Sequence, residues 1–190
     1  VIPVWGWMFS AFSLIPNLIS SGGLDYILTK PINSQFLVSI RSFSFSLLPS
    51  IVGGTAILLA GFNVLKYYPS WWQIFLVLMA MIISSALMYG MYFSSVALAL
   101  YVGRLNNIYH IFPHIFDAGR YPIEIYPIIL QRLFTTILPL GVILLVPAGL
   151  LVSKANYWDI LRLAVLALIF IRMSIFIWTR GLKRYSSASS

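Results

Sequence analysis

Four stretches of this chain contain no charged residue, and each is long enough to cross a lipid bilayer as a helix. They cover residues 1–24, 42–65, 67–103 and 133–153. A membrane-spanning helix needs about 20 predominantly apolar residues. A fifth apolar stretch runs from about Trp158 to Trp178, although it contains two arginines. Because strands of membrane barrels are shorter and alternate in polarity, these lengths predict helices.

The composition excludes a soluble globular domain. Hydrophobic residues make up 61% of the chain and charged residues only 8%, whereas globular proteins carry about 25% charged residues. We therefore predict an all-α membrane protein, a polytopic helical bundle with five spans and additional short helices at the cytoplasmic interface. The predicted spans are about residues 1–16, 43–65, 72–102, 133–153 and 157–179. They form one transmembrane domain, residues 1–184, followed by a short tail, 185–190.

The basic residues indicate how the spans are oriented. Two connections and the C-terminal tail share eight of them: Lys30, Arg41, Arg104, Arg120, Arg132, Arg180, Lys183 and Arg184. The other two connections have only Lys66 and Lys154. The positive-inside rule places the first group, and with it the C-terminus, in the cytoplasm. Orientation and contact with anionic lipid explain the net charge of +8, so we predict no nucleic-acid partner.

The first cytoplasmic connection, residues 17–42, contains a short amphipathic helix. Leu24, Ile27 and Leu28 recur at helical spacing and form an apolar stripe, while Asp25 and Lys30 lie off it. Gly22 and Gly23 let the chain bend before this helix, and Pro31 ends it. Two interpretations follow from the residues alone: an interfacial helix that only turns the chain, or a docking element for a soluble partner.

The second cytoplasmic connection, residues 104–132, is long and rich in proline. It contains the sequence YPIEIYP, in which Tyr121 and Tyr126 each precede a proline. A residue before proline is disfavoured in the helical conformation. We therefore expect rigid bends that give this loop a defined shape.

These two connections resemble the type-2 permeases of ATP-binding-cassette (ABC) exporters, in particular the bacterial six-span branch. The first motif of that branch, G-x-L-D-x-x-L-x-K-P, corresponds here to Gly23, Leu24, Asp25, Leu28, Lys30 and Pro31. Many members have a glutamate between the glycine and the leucine, which this chain lacks. The second motif, R-Y-P-x-x-I-Y-P, falls on Arg120, Tyr121, Pro122, Ile125, Tyr126 and Pro127, with Glu124 as an unexpected residue inside it. The resemblance runs from about Pro16 to Arg180.

The resemblance implies a permease subunit in the bacterial inner membrane that pairs with a second permease subunit. In such permeases the segment after the second span is a coupling helix that lodges in a cleft of a separate ATPase subunit. Leu24, Ile27 and Leu28 would fill that cleft, Asp25 and Lys30 would make polar contacts at its rim, and the second connection would complete the surface. The family has six spans, so we expect one further span upstream of Val1.

Few residues suggest chemistry within this chain. We find no phosphate-binding glycine loop and no catalytic triad in the sequence, so we predict no enzyme activity and no cofactor; ATP and magnesium would belong to the partner ATPase. His110, His114 and Asp117 share a helical spacing that can bind a metal, but Pro113 interrupts it. A membrane metalloenzyme and a non-transport scaffold subunit are therefore the alternative functions.

Two arginines lie within the last predicted span. Charges at membrane depth are costly and are often functional. Arg162 and Arg172 are each close enough to an end of the span to extend toward the lipid headgroups, and Arg162 can also pair with Asp159 three residues away. We expect both arginines to reach the interface in this way, with contact to a partner subunit or an anionic substrate as an alternative for Arg172.

Overall fold

The structure is a computed structural model that describes residues 10–42, 48–102 and 125–185, together with Gly6, His114 and Asp117. Over these residues the chain is helical and forms no strand. In chain order the helices are α1 (Ile15–Ser20), α2 (Gly23–Leu28), α3 (Ser34–Ile40), α4 (Leu48–Leu65), α5 (Trp71–Ala97), α6 (Ala99–Val102), α7 (Ile128–Arg132), α8 (Leu140–Leu151) and α9 (Tyr157–Leu182). The prediction of an all-helical membrane protein is confirmed.

The number of spans is smaller than predicted. In the part of the chain that the structure describes, three helices are long and apolar enough to cross a membrane: α4, the continuous stretch Trp71–Tyr101, and α9. A fourth span results if the bent pair Ile128–Thr135 and Leu140–Leu151 is counted as one. Half of the predicted first span, residues 1–5 and 7–9, lies outside the described residues.

Helices α5 and α9 begin with side-chain caps. Ser70 and Gln73 cap α5 reciprocally: the Gln73 backbone N donates to Ser70 Oγ at 3.3 Å, and the Ser70 backbone N donates to Gln73 Oε1 at 2.8 Å. Asn156 and Asp159 do the same for α9, where the Asn156 backbone N donates to Asp159 Oδ2 at 2.8 Å. Each of these reciprocal pairs, known as a capping box, satisfies backbone N–H groups that a helix leaves free at its start. The capping boxes therefore fix where both spans begin.

Helices α5 and α9 pack so closely that their backbones touch. At Gly90 of α5, an added Cβ would lie 2.7 Å from the carbonyl carbon of Phe170 and 2.8 Å from the backbone N of Ile171. At the C-terminal end of α9, a Cβ at Gly181 would lie 2.8 Å from Leu100 Cδ1 of α6. Small residues permit this approach in membranes, where close packing drives helix association.

Helix α4 has the opposite environment. None of its residues is buried by the described part of the chain. Gly53, Gly54 and Gly61 have no heavy atom within 4 Å of the position that a Cβ would take. Its apolar side chains, such as Ile57 and Val64, are therefore available to lipid or to another protein.

The predicted span 133–153 is broken. Residues Leu133–Ile137 form a π-helical turn after α7, and the two halves of the span meet at 71°. Pro139 lies at the break. Because proline has no backbone N–H, it cannot donate to the carbonyl four residues earlier, and its ring crowds that carbonyl.

Neighbouring helices donate to both carbonyls that the prolines of this span release. Pro139 releases the Thr135 carbonyl, which accepts a hydrogen bond from Arg162 Nη2 of α9 at 3.5 Å. Pro147, inside α8, releases the Ile143 carbonyl, which accepts from the buried Ser84 Oγ of α5 at 3.0 Å. Neighbouring helices thus satisfy both groups, which is what a break in a membrane-spanning helix requires. Arg162 thus caps a broken helix, and Asp159 is used in the α9 cap.

The two ends of the bundle are built differently. At one end the connections 66–70 and 152–156 are short and joined to each other, because Gln73 Nε2 donates to Ser153 Oγ at 2.7 Å and to Tyr67 Oη at 3.0 Å. At the other end α2 and α3 lie against the C-terminal part of α9. The connections 66–70 and 152–156 therefore share one end of the described bundle, and α2, α3 and the C-terminal part of α9 share the other.

Candidate functional site

Helix α2 is held at its start by a sharp turn. Gly22 adopts a φ of +74°, in the left-handed region that favours glycine, and it forms the N-cap of α2. At Gly23 a Cβ would lie 3.1 Å from Leu18 Cδ2 of α1. These two glycines turn the chain sharply between α1 and α2, as the sequence predicted.

The apolar stripe of α2 faces the interior of this chain. Leu24 and Ile27 are 0% and 3% exposed, and both belong to the hydrophobic core. The expectation that they would fill the cleft of a partner is therefore corrected: they fasten α2 to its own bundle. Only Leu28, 40% exposed, remains available from the predicted stripe.

The exposed part of α2 and the turn that follows it carry a group of side chains that we call the docking face: Tyr26, Leu28 and Lys30. Tyr26 is 67% exposed, and the Lys30 Nζ lies 4.8 Å from the centre of its ring. This cation–π contact orders the lysine without removing its charge. Pro31 and Ile32, also exposed, extend the face toward α3.

Asp25 faces the C-terminal end of α9. Burial raises the pKa of the Tyr185 phenol, and the neighbouring Asp25 carboxylate raises that pKa further. Tyr185 lies three residues after Leu182, the last residue of α9. The acid of the first motif therefore acts between α2 and α9, and the sequence had predicted a rim contact with a partner.

Helix α3 is joined to both long helices by buried hydrogen bonds. Gln35 Nε2 donates to Tyr89 Oη of α5 at 3.2 Å and to Ser174 Oγ of α9 at 3.1 Å. Ser39 Oγ lies 3.0 Å from the same Tyr89 Oη. Gln35, Ser39 and Ser174 are all buried. These four residues, which we call the α3 network, connect three helices through polar groups.

A second contact reinforces the attachment of α3. The indole Nε1 of Trp178, in α9, donates to Ser34 Oγ at 3.0 Å. The Trp178 ring is 1% exposed and packs edge-on against Phe93 of α5, with ring centres 5.2 Å apart. Sequence reasoning missed this site. Its signal was present, since Ser34, Gln35 and Ser39 place polar atoms at helical spacing in an otherwise apolar segment.

The second motif lies largely outside the described residues. Arg120, Tyr121 and Pro122 are among the residues outside the described ranges. Tyr126 is half-buried, with its ring edge-on to Phe134 at 5.5 Å, and its carbonyl accepts from Gln131 Nε2 at 2.8 Å. Pro127 is the N-cap of α7. The end of this motif therefore starts the broken span.

The alternative metal site receives no support from the residues that the structure describes. His114 and Asp117 are exposed, and His110 is outside the described ranges. Across those ranges no three His, Cys, Asp or Glu side chains come together as a metal site would require. Arg172 is exposed on α9, and its extension toward the interface stays a prediction.

Comparison with known proteins gives one informative result. The sequence model of a family described as ABC-2 family transporter protein matches residues 6–189, which is nearly the whole chain. No curated protein and no solved structure matched.

Proposed function

The chain belongs to the ABC-2 family transporter proteins, and on this premise we propose that it is the membrane-spanning permease subunit of an ATP-driven exporter. A second permease subunit, identical or related, completes the translocation path. Separate ATPase subunits bind ATP and magnesium, hydrolyse the ATP, and drive the permease.

The two-sided environment of α2 is the observation that supports this proposal. A helix that passes on a push must be held firmly on one side and be accessible on the other. Leu24 and Ile27 are buried in the core, whereas Tyr26 and Lys30 are exposed. A short amphipathic helix of this kind fits a groove on a partner. The ATPase would supply that groove, with acidic groups facing Lys30.

The distribution of basic residues supports the orientation. Lys30, Arg41, Arg180, Lys183 and Arg184 accompany α2 at its end of the bundle, while Lys66 and Lys154 mark the opposite end. By the positive-inside rule the docking face lies in the cytoplasm, where ATP is available. The protein is then a multi-pass protein of the bacterial inner membrane with a cytoplasmic C-terminus.

Affinity purification of the full chain from its native membrane tests the proposal. We expect a protein with a phosphate-binding glycine loop to co-purify, identified by mass spectrometry. The double variant Tyr26→Ala/Lys30→Glu should reduce its recovery at least tenfold. A matched control is Tyr157→Ala/Lys154→Glu at the opposite end, because Tyr157 is 68% exposed and Tyr26 is 67% exposed; its recovery should equal that of the parent.

Two results would contradict the proposal. The parent chain could retain no such ATPase, which would favour a scaffold function. Alternatively, the two double variants could lose the ATPase to the same extent, which would mean that the docking face has no special role.

A further inference from the structure

In the α3 network, one assignment of donors and acceptors accounts for every hydrogen bond. Ser39 Oγ donates its one hydrogen to the backbone carbonyl of Gln35 at 2.7 Å. At the contact between Ser39 Oγ and Tyr89 Oη, the tyrosine is therefore the donor. Ser174 Oγ donates to the Ile171 carbonyl at 2.8 Å, so it accepts from Gln35. Both amide hydrogens of Gln35 are therefore used, one on each long helix. Such closed networks hold their members in one geometry.

The position of the network links the docking face to the long helices. Gln35 lies in α3, which directly follows α2, and α2 and α3 pack against each other. Asn33 starts α3, since its Oδ1 accepts from the Phe36 backbone N at 3.1 Å. On α5 and α9, Tyr89 and Ser174 lie toward the end where α2 is found. A displacement of α2 therefore reaches α5 and α9 through α3.

We infer that Gln35 is the positioning residue that makes α2, α3, α5 and α9 move as one rigid body, so that a push on the docking face is passed to the long helices. This inference rests on the proposed function for the source of the push. The rigid body moves relative to α4, which has no residue buried by the described chain. The residue acts through Tyr89 and Ser174 and needs no contact with ATP or substrate.

Spin labels test the rigid body in the isolated chain. The sequence contains no cysteine. Two cysteines introduced in place of Thr29 and Ile175, which are both exposed, would therefore carry the only spin labels. In nanodiscs of phosphatidylethanolamine and phosphatidylglycerol we expect a narrow distance distribution for the parent. Gln35→Leu should at least double its width. Tyr89→Phe, which keeps the ring contacts with Phe12 and Phe93, should widen it by a smaller factor.

The matched control is Gln131→Leu, because the Gln131 amide donates to the Tyr126 carbonyl near the start of the broken span. Its distance distribution should equal that of the parent. An unchanged width in both Gln35→Leu and Tyr89→Phe would overturn the inference. Should Gln35→Leu fail to fold, the isosteric Tyr89→Phe decides the question.

The second measurement uses the complex with its co-purified ATPase and labels at Leu58 of α4 and Ile175 of α9. Addition of a non-hydrolysable ATP analogue should shift this distance in the parent. In Gln35→Leu we expect equal recovery of the ATPase and a shift at least threefold smaller. A full shift in Gln35→Leu would overturn the inference alone. Absence of an ATPase from the purified parent would overturn the proposed function. The distance between the labels at Thr29 and Ile175 in the isolated chain would still test whether α2, α3, α5 and α9 form one rigid body.

Discussion

Helices α4 and α5 have similar compositions and opposite surroundings. Both lack charge and both contain glycine. Gly90 of α5 lies against the backbone of α9, whereas Gly54 of α4 has open space where a Cβ would lie. In a bilayer the lipid is as apolar as the side chains, so composition does not decide which helix packs. Close contact between backbones decides it, and substitutions can measure the difference.

The largest effect is expected from Gly90→Val compared with Gly54→Val. The added side chain at Gly90 would overlap the Phe170 backbone, which cannot move aside as a flexible side chain can. We expect a loss of about 3 kcal/mol in the free energy of unfolding at Gly90, and a change within about 0.5 kcal/mol at Gly54. Titration with SDS in mixed micelles, followed by circular dichroism, measures both. Equal losses would remove the contrast between the two helices.

A smaller effect is expected from Ser84→Ala, with its neighbour Ser85→Ala as the control. Ser84 donates to the Ile143 carbonyl that Pro147 releases, whereas Ser85 donates to the Met81 carbonyl of its own helix. Leaving a buried carbonyl without a donor costs about 1–2 kcal/mol. The same titration should show this loss for Ser84→Ala and less than half of it for Ser85→Ala. A larger loss for Ser85→Ala would argue against the assignment of Ser84.

Arg162→Gln should have a still smaller effect, about 0.5–1 kcal/mol, because the side chain is exposed and its bond to the Thr135 carbonyl is long. The control is Arg180→Gln on the same helix, whose guanidinium lies over the Phe176 ring, 4.5 Å from its centre. Labels in α7 and α8 would report the bend directly. We expect the distribution of distances between the α7 and α8 labels to broaden with Arg162→Gln but not with Arg180→Gln. Broadening with both variants would contradict the role of Arg162 as the cap of the broken helix.

The smallest expected effect is a pH dependence at Tyr185. Since the folded protein raises the pKa of this phenol above its ordinary value of 10.0, the unfolded chain loses the proton first. The stabilising contribution is present below pH 10 and declines as the pH rises above it. The difference in ultraviolet absorbance between the parent and Tyr185→Phe, titrated up to pH 12, should place the transition above 10. A transition at or below 10 would exclude the influence of Asp25 and burial.

The sequence predicted the long helices well because their boundaries depend on local signals. The predicted spans 72–102 and 157–179 agree closely with Trp71–Tyr101 and Tyr157–Leu182. Both begin at a capping residue beside tryptophan or tyrosine, and both follow a short polar connection. Such signals act within a few residues, so they can be read without knowledge of the fold.

The candidate site could be predicted only in part. The spacing of Leu24 and Ile27 identified an apolar face of α2, but periodicity does not tell what covers that face. Here it is the chain's own core. The α3 network joins residues more than 50 positions apart, as from Gln35 to Tyr89. The spacing of Gln35 and Ser39 indicates a polar face on α3, but it does not identify the partners of that face on α5 and α9. Pro139 and Pro147 of span 133–153 are visible in the sequence, whereas the role of Arg162 as the donor at the break depends on tertiary packing.

The two prolines of the broken span give it a property that a smooth helix lacks. Each one replaces a bond inside the span by a bond to a different neighbour, Arg162 on one side and Ser84 on the other. Straightening the joint at Pro139 would detach Arg162 from the Thr135 carbonyl, and proline has no N–H group to replace that bond. The joint should therefore resist small displacements and then yield in a single step, as a latch does.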